Sequence, residues 1–217
     1  LKSIPNEPIE AAKIDGASEW EITRYIRLPM IRSLLFLVLI FRSIEEGKPV
    51  YTSWNEQTHM SKENIEPYSS TVFVGIDFGL TPAATFGQRL VTGQWLILQE
   101  LVCFDMGVTR FAELLKHEIA KNYKGLDLEI YGDPAGDFRS QTDETTPFQI
   151  LRHMGIRAVP APSNDVSLRI EAVEAALTRM VEGKAGFLLN YNCVNLKKGF
   201  NGGYHYRRLQ TSGAVSY

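Results

Sequence analysis

The sequence predicts an α/β protein in which a mixed β-sheet is flanked by helices and preceded by a short helical appendage. Residues 71–102 contain three runs rich in β-branched and aromatic residues, separated by short turns. Residues 103–189 then alternate between helical and strand periodicity. Residues 1–44 instead carry helical signals that lead into an apolar run. We therefore predict a helical segment over 1–44, a linker over 45–70 and the α/β domain over 71–217.

The three opening strands are predicted at 71–76, 83–90 and 95–102, where the turn Thr92-Gly93-Gln94 joins the last two in an antiparallel meander. The elements that follow are a helix from an N-cap at Thr109 to about Tyr123, a strand over 128–131, a helix over 147–154, a strand over 156–159, a helix capped by Asp165 and running through 181, and a strand over 187–189.

This element order is that of the RNase H-like fold, in which the first strand and the strand after the first helix lie side by side. Asp77 and Asp133 stand at the ends of those two strands. Because adjacent parallel strands are close together, we expect the two carboxylates to face one site.

Paired carboxylates at such an edge suit phosphodiester hydrolysis, which must activate water and stabilise the leaving oxygen. Two Mg²⁺ or Mn²⁺ ions about 4 Å apart do both, and such ions prefer carboxylate oxygens. Gly75 and Gly79 flank Asp77 and leave room for phosphate and metal, while Asp137 is a candidate assisting group. A lone aspartate after a strand is more often a turn former, but the pair in this topology favours a metal site.

The composition is that of a globular protein, with 44% hydrophobic and 22% charged residues, and the chain is long enough to bury a core. The net charge of −2 provides no global attraction to nucleic acid, so DNA contacts would need a local basic surface. The candidates lie in the most basic stretch, although a solvated face is the other interpretation: Lys197, Lys198, Arg207 and Arg208.

Cys103 and Cys193 are far apart and lack metal-type spacing, so we interpret both as buried, reduced thiols of a cytosolic protein. No signal-peptide pattern is visible at the N-terminus. The apolar run over 34–41 is too short for a membrane span, which needs about 20 residues. It is either a core segment or the first half of a membrane helix, and we expect no membrane span.

Three segments carry motifs around the two aspartates. Residues 74–84 read Val-Gly-Ile-Asp-Phe-Gly-Leu-Thr-Pro-Ala-Ala, and residues 129–136 read Glu-Ile-Tyr-Gly-Asp-Pro-Ala-Gly. They resemble the first-strand motif and the second acidic motif of the large subunit of phage terminases, and residues 47–59 are similar to the segment that joins the ATPase and nuclease halves of that family. The resemblance covers residues 45–217. The resemblance implies a nuclease domain that cuts concatemeric double-stranded viral DNA during head filling.

It also implies Mg²⁺ or Mn²⁺ as cofactor, with Asp77 and Asp133 as its ligands. The implied partners are double-stranded DNA, the terminase ATPase domain, the small terminase subunit and the portal, in the cytoplasm of a phage-infected or prophage-bearing bacterium. The sequence departs from the family at one point: a third metal carboxylate, in a motif such as Ser-His-x-x-Asp-Ala, does not occur before Tyr217. The Walker motif of the ATPase half is absent as well. The chain therefore looks like a fragment of such a protein, and without the third carboxylate its metal site is expected to be incomplete.

The N-terminal segment carries a different pattern: a helix, a break at residues 15–17, and a second helix that stops at a proline. The residues that define this pattern at fixed spacing are Glu10, Ala11, Ala12, Gly16, Ile26, Leu28 and Pro29. They resemble the cytoplasmic coupling loop of ABC-transporter permeases of the sugar-importer type, which docks on the ATPase subunit. Since no other membrane segment follows, we interpret residues 1–42 as a fusion, an artefact of assembly or a remnant, without transport activity.

Two other functions fit parts of the sequence. An actin-like or sugar-kinase-like ATPase shares the core fold and opens with Asp-x-Gly-Thr, which the segment 77–81 imitates, but it needs two such domains. A non-catalytic protein that carries a permease docking loop would explain residues 1–42 but not the paired aspartates. ATP binding, association with a transporter ATPase subunit, and metal-dependent DNA cleavage lost in Asp77→Ala discriminate between the three.

Overall fold

A computed structural model describes residues 10, 12–13, 15–16, 18, 47–79, 81–134, 145–206, 209–211 and 214–216. The chain divides into two compact units, one formed by residues 49–204 and the other by residues 1–48 together with 205–217.

The larger unit contains eight of the strands found among the described residues. These are β1 (Thr71–Asp77), β2 (Ala83–Arg89), β3 (Trp95–Val102), β4 (Asp127–Gly132), β5 (Ala158–Pro160), β6 (Met180–Val181), β7 (Lys184–Ala185) and β8 (Phe187–Leu189). Its helices are α1 (Glu56–His59), α2 (Val108–Asn122), α3 (Pro147–His153), α4 (Val166–Thr178) and α5 (Val194–Lys198), and a wide turn over Gly199–Gly203 follows α5.

Six strands form one mixed sheet in the order β5-β4-β1-β2-β3-β8. The meander β1-β2-β3 is antiparallel, whereas β4 pairs with β1, β5 with β4 and β8 with β3 in parallel. The predicted mixed sheet is thus confirmed, and so is the placement of β4 beside β1.

One face of the sheet holds the main core. Alternate residues of a strand point to opposite faces, and in β1 the buried ones are Val72, Val74 and Ile76. Helix α2 covers this face through buried residues one turn apart, Phe111 and Leu115. Fully buried Phe86 and Tyr123 stack with ring centroids 4.7 Å apart. Helix α3 adds Phe148 and Leu151 to the same cluster.

A second apolar cluster lies on the opposite face at the β3–β8 end of the sheet. Its sheet members are Trp95, Ile97, Phe187 and Leu189, and its other members are Tyr51, Trp54, Val173, Ala176, Leu177, Cys193, Leu196 and Phe200. Helices α4 and α5 therefore cover this end of the sheet on the side away from α2. The Trp54 ring stacks on Phe200 at 4.6 Å between ring centroids.

Several helix boundaries differ from the prediction. Helix α2 begins at Val108 with Gly107 as N-cap, so the predicted cap at Thr109 is wrong. Asp165 caps α4 as predicted, since its carboxylate accepts hydrogen bonds from the backbone of Ser167 and Leu168. The helix ends at Thr178 rather than 181.

The residues beyond α4 form a hairpin, in which β6 and β7 pair antiparallel. Its two turn residues, Glu182 and Gly183, both have positive φ, at 50° and 76°. Positive φ at both central residues is the type I′ arrangement, whose twist matches that of paired strands. The helix ends early because the chain becomes extended at Arg179, and Met180 and Val181 pair in this hairpin instead of continuing the helix.

Part of the predicted linker is packed into the larger unit. In α1, His59 is buried and its ring lies between two backbone groups: Nδ1 accepts from the Asn55 N–H at 2.9 Å, and Nε2 lies 2.9 Å from the Leu177 carbonyl oxygen. Met60 forms a parallel bridge to Leu189 of β8. The predicted domain division itself stays a prediction.

In the other unit, Glu10, Ala12 and Lys13 are helical, and Asp15 and Gly16 form a turn. Gly16 has a φ of +83°, which glycine adopts readily, so the turn lies at the predicted break. Strands β9 (Leu209–Thr211) and β10 (Ala214–Ser216) form a hairpin. Ala11, Ile26, Leu28 and Pro29 of the permease-like motif lie outside the described residues. Where the structure is described, no helix is long and apolar enough to cross a bilayer.

Candidate metal centre

Asp77 and Asp133 lie side by side at one edge of the sheet. Asp77 is the last residue of β1, and Asp133 directly follows β4. The two strands pair in parallel with Ile76 opposite Gly132, and the Asp133 N–H donates to the Ile76 carbonyl oxygen at 3.0 Å. Adjacent strands are about 4.8 Å apart. The fold therefore brings the two predicted carboxylates together.

Both carboxylates belong to the face of the sheet that points away from α2. Ile76 and Gly132 are buried, whereas Asp77 is exposed and Asp133 is partly exposed. Because side chains alternate along a strand, residues next to buried ones point to the other face. Gly75, two residues before Asp77, is also exposed, and a side chain placed there would meet no atom within 4 Å. This end of the face is open beside the carboxylates.

Gly132 fixes the end of β4. A Cβ atom at this position would lie 2.6 Å from Cε2 of Phe78 and 2.9 Å from Cε1 of Phe148. These two rings meet edge to face with centroids 5.1 Å apart. Only glycine fits beneath them, so the packing of the rings sets where Asp133 leaves the strand. The sequence did not reveal this role of Gly132, because Phe148 lies 16 positions away along the chain.

Each carboxylate accepts a hydrogen bond within the site. Asp77 Oδ1 accepts from the Gly79 N–H at 3.3 Å, which is the turn-forming role that a lone aspartate after a strand often has. Asp133 Oδ1 accepts from the side-chain amide of Asn164 at 3.1 Å. Asn164 is a site residue that the sequence did not reveal, since it lies 31 positions from Asp133 and has no motif around it.

The two carboxylates at this edge suit a hard divalent cation, because such cations prefer oxygen ligands. Among the described residues, no group of three or more His, Cys, Asp or Glu side chains is placed to hold a metal ion. Asp137 lies outside the described residues. The described part of the site thus consists of two carboxylates and one neighbouring amide.

A further carboxylate lies on β4, farther from the edge. The Tyr131 hydroxyl donates to Glu129 Oε2 at 3.0 Å, and this hydrogen bond raises the pKa of Tyr131. Tyr131 is in register with Gly75, and about a third of its surface is exposed, 36%. The charged side chains of β1 and β4 on this face, Asp77, Asp127 and Glu129, are acidic, which favours cations over free phosphate.

Two of the predicted basic residues, Lys197 and Lys198, lie away from the two aspartates. Lys197 and Lys198 belong to α5, whose start is tied to β3 by a hydrogen bond from the Asn195 N–H to Glu100 Oε1 at 2.7 Å. In the sheet order, β3 is two strands away from β1. Lys197 forms an ion pair with Glu56 at 2.6 Å, and this contact lowers the pKa of Glu56.

Arg207 and Arg208 lie outside the described residues. The predicted DNA-contacting surface therefore stays a prediction.

Solved structures of phage terminases share this architecture. The large terminase of a thermophilic bacteriophage superposes with a TM-score of 0.54 at 21% identity, over 70% of this chain and 36% of that one. The P22 large terminase nuclease domain gives 0.54 at 14% identity, over 77% of this chain and 83% of that one. The large terminase nuclease of the thermophilic phage G20c gives 0.50 at 14% identity, over 77% and 88%. The fold is RNase H-like. The chain spans about a third of the first of these proteins. Because the identities are 21% or lower, the likeness establishes the fold alone.

Residues 1–45 match a different family, described as binding-protein-dependent transport system inner membrane component. Over 38 residues the chain is 55% identical to the osmoprotective compounds uptake permease protein GgtC of Synechocystis sp. (strain ATCC 27184 / PCC 6803 / Kazusa). This stretch is 18% of the present chain and 14% of the permease. The predicted resemblance of the N-terminal segment to transporter permeases is confirmed, for that segment only.

Proposed function

We propose that the α/β domain is a metal-dependent DNA endonuclease of the terminase large-subunit type, which hydrolyses phosphodiester bonds in concatemeric double-stranded DNA. One observation carries the proposal: Asp77 and Asp133 end adjacent parallel strands and lie on one open face. The fold shared with terminase nuclease domains supports it.

Each residue of the site has a separate role in this reaction. Asp77 and Asp133 hold Mg²⁺ or Mn²⁺ through their carboxylate oxygens. A divalent cation, when bound, supplies activated water and neutralises charge on the leaving oxygen. Gly75 leaves the face beside Asp77 clear for the sugar-phosphate backbone. The rings of Phe78 and Phe148 hold the end of β4, and with it Asp133, in place.

The proposal extends to partners that the fold family suggests. Lys197, Lys198, Arg207 and Arg208 contact DNA phosphates at a distance from the cut. The ATPase domain, the small terminase subunit and the portal are the proposed packaging partners, in the cytoplasm of an infected or prophage-bearing bacterium.

Plasmid cleavage by the full chain tests the activity. Supercoiled DNA is incubated with Mn²⁺ or with EDTA, using the unaltered chain, Asp77→Asn, Asp133→Asn and Asp127→Asn. Asp127 is the matched control, because it is an exposed aspartate at the opposite end of β4. We expect cutting that requires Mn²⁺, is lost in the first two variants and is retained in Asp127→Asn.

Binding of Mn²⁺, measured by electron paramagnetic resonance of the free ion, separates the remaining outcomes. Cutting that survives both substitutions, or that proceeds in EDTA, contradicts the proposal. A chain that neither binds Mn²⁺ nor cuts also overturns it. Binding that depends on Asp77, without cutting, keeps the metal site and shows that two carboxylates do not suffice for catalysis.

The N-terminal segment supports a second candidate function, docking on the ATPase subunit of an ABC importer. The 55% identity over 38 residues favours it. A pull-down of the full chain with a purified importer ATPase subunit tests this function. Gly16→Val should abolish binding, because valine is strained at a φ of +83°. Asp77→Asn should leave binding unchanged, and equal binding by the two variants would contradict the docking function.

A further inference from the structure

The side-chain amide of Asn164 donates a hydrogen bond to Asp133 Oδ1 at 3.1 Å. Asn164 lies in the short segment that joins β5 to α4, far from either aspartate in sequence. We propose that Asn164 is a positioning residue that orients the Asp133 carboxylate for cation binding. The inference rests on the metal site proposed above.

The segment that carries Asn164 is anchored on both sides. At its start, the Ala161 N–H donates to the Gly132 carbonyl oxygen at 2.9 Å, one residue before Asp133. At its end, Asp165 caps α4 by accepting from the Ser167 N–H at 2.7 Å. The Asp165 N–H in turn donates to Ser163 Oγ at 3.1 Å. Because so few residues lie between the anchors, the backbone presents Asn164 to Asp133 before any cation arrives.

The chemistry of an amide suits this role. A hydrogen bond to a carboxylate is charge-assisted and restricts rotation of the carboxylate group. The amide is neutral, so it does not repel a cation as a lysine or arginine in the same place would. Partners of this kind orient metal ligands, and their loss commonly weakens binding by on the order of tenfold or more.

The affinity of the full chain for Mn²⁺ tests the role, measured by electron paramagnetic resonance in four proteins: the unaltered chain, Asn164→Ala, Ser163→Ala and Asp77→Asn. We expect about tenfold weaker binding in Asn164→Ala, with an unchanged melting temperature in EDTA. Ser163→Ala is the matched control for the segment, because it removes a neighbouring hydrogen bond that does not involve Asp133. It should bind Mn²⁺ as the unaltered chain does.

Asn164→Asp provides a readout that a purely structural residue would not move. It replaces the donor by a second carboxylate next to Asp133, so the melting temperature in EDTA should fall. Added Mn²⁺ should raise it by more than in the unaltered chain, because the cation binds the folded protein and now meets an additional negative group. If Mn²⁺ raised the melting temperatures of Asn164→Asp and of the unaltered chain by the same amount, the proposed contact between Asn164 and Asp133 would be contradicted.

The failures are distinguishable. If Asp77→Asn abolishes Mn²⁺ binding and Asn164→Ala leaves it unchanged, the positioning role is wrong and the metal site stands. If Ser163→Ala weakens binding as much as Asn164→Ala, the effect belongs to the segment and the specific role is overturned. If the unaltered chain binds no Mn²⁺, both proposals fall.

Discussion

The two faces of the sheet differ in how much of each is covered by packed apolar side chains. The face under α2 and α3 is filled from β4 to β3 by one apolar cluster that includes Val72, Val74 and Phe86. The opposite face is filled only at the β3–β8 end, among the described residues, by the cluster around Trp54 and Phe187. At the β1–β4 end of that face, Gly75 and Asp77 are exposed.

Because of this difference, neighbouring residues of one strand have different roles, some in the stability of the fold and others in the candidate metal site. In β1, alternate residues build the core, while the residues between them lead to the carboxylate. Substitutions on the filled face should therefore cost folding free energy, and substitutions on the open end should cost cation binding.

The largest expected effect is that of Phe86→Ala on the filled face. Phe86 is fully buried and stacks on Tyr123, so its loss should lower the free energy of unfolding by about 3–5 kcal/mol. Phe73→Ala is the matched control on the opposite face of the neighbouring strand, where the partly exposed ring touches Trp95. It should cost about 1–2 kcal/mol. Urea denaturation measures the free energy of unfolding of both variants. Equal losses in the two variants would contradict the difference between the two faces of the sheet.

A glycine pair tests the same contrast with a single added methyl group. Gly132→Ala drives a Cβ against Phe78 and Phe148, and we expect a loss of about 1–3 kcal/mol. Gly75→Ala on the open face meets no atom within 4 Å and should change stability by less than about 0.5 kcal/mol. Melting curves in EDTA provide the stabilities.

Mn²⁺ binding should weaken in Gly132→Ala, because the displaced end of β4 carries Asp133. A Gly132→Ala variant that is as stable as Gly75→Ala would show that the rings do not hold the strand end.

The smallest effect concerns the filled end of the second face. Burial raises the pKa of the Cys193 thiol from 9.0 to about 12. The thiol stays protonated in the folded chain while it ionises in the unfolded chain, so its contribution favours unfolding as pH rises from about 9 towards 12. Below pH 9 both states hold the proton and no such contribution arises. Urea midpoints from pH 7 to 10 should fall less steeply in Cys193→Ala, and identical pH profiles would contradict the burial argument.

The N-terminal segment resembles known proteins in its sequence, whereas the α/β domain resembles known proteins in its fold. Residues 1–45 share much sequence with a permease over a short stretch, whereas the domain shares its fold with terminase nucleases at 14–21% identity. A short segment of high identity is recognisable from its residues alone. A fold needs only the right pattern of buried residues, and many sequences satisfy that pattern.

Local patterns determined much of the fold. The strand β3 lies at the predicted residues, and the cap at Asp165 is as predicted, because both depend on neighbours within a few positions. The element order was enough to place Asp77 and Asp133 on adjacent strands. Thr109 failed as a cap because the residue before the helix, Gly107, took that position without a side-chain hydrogen bond. Caps depend on backbone geometry that composition alone leaves open.

The sequence by itself determined the antiparallel meander, the place of β4 beside β1 and the two aspartates at the ends of those strands, since alternation and element order are properties of the chain. Only the tertiary structure decided that Gly132 lies beneath Phe78 and Phe148, and that Asn164 reaches Asp133. The ring of Phe148 and the Asn164 amide come from elements 16 to 31 residues away along the chain. Contacts over such separations follow from how the elements pack, and no local pattern of residues encodes them.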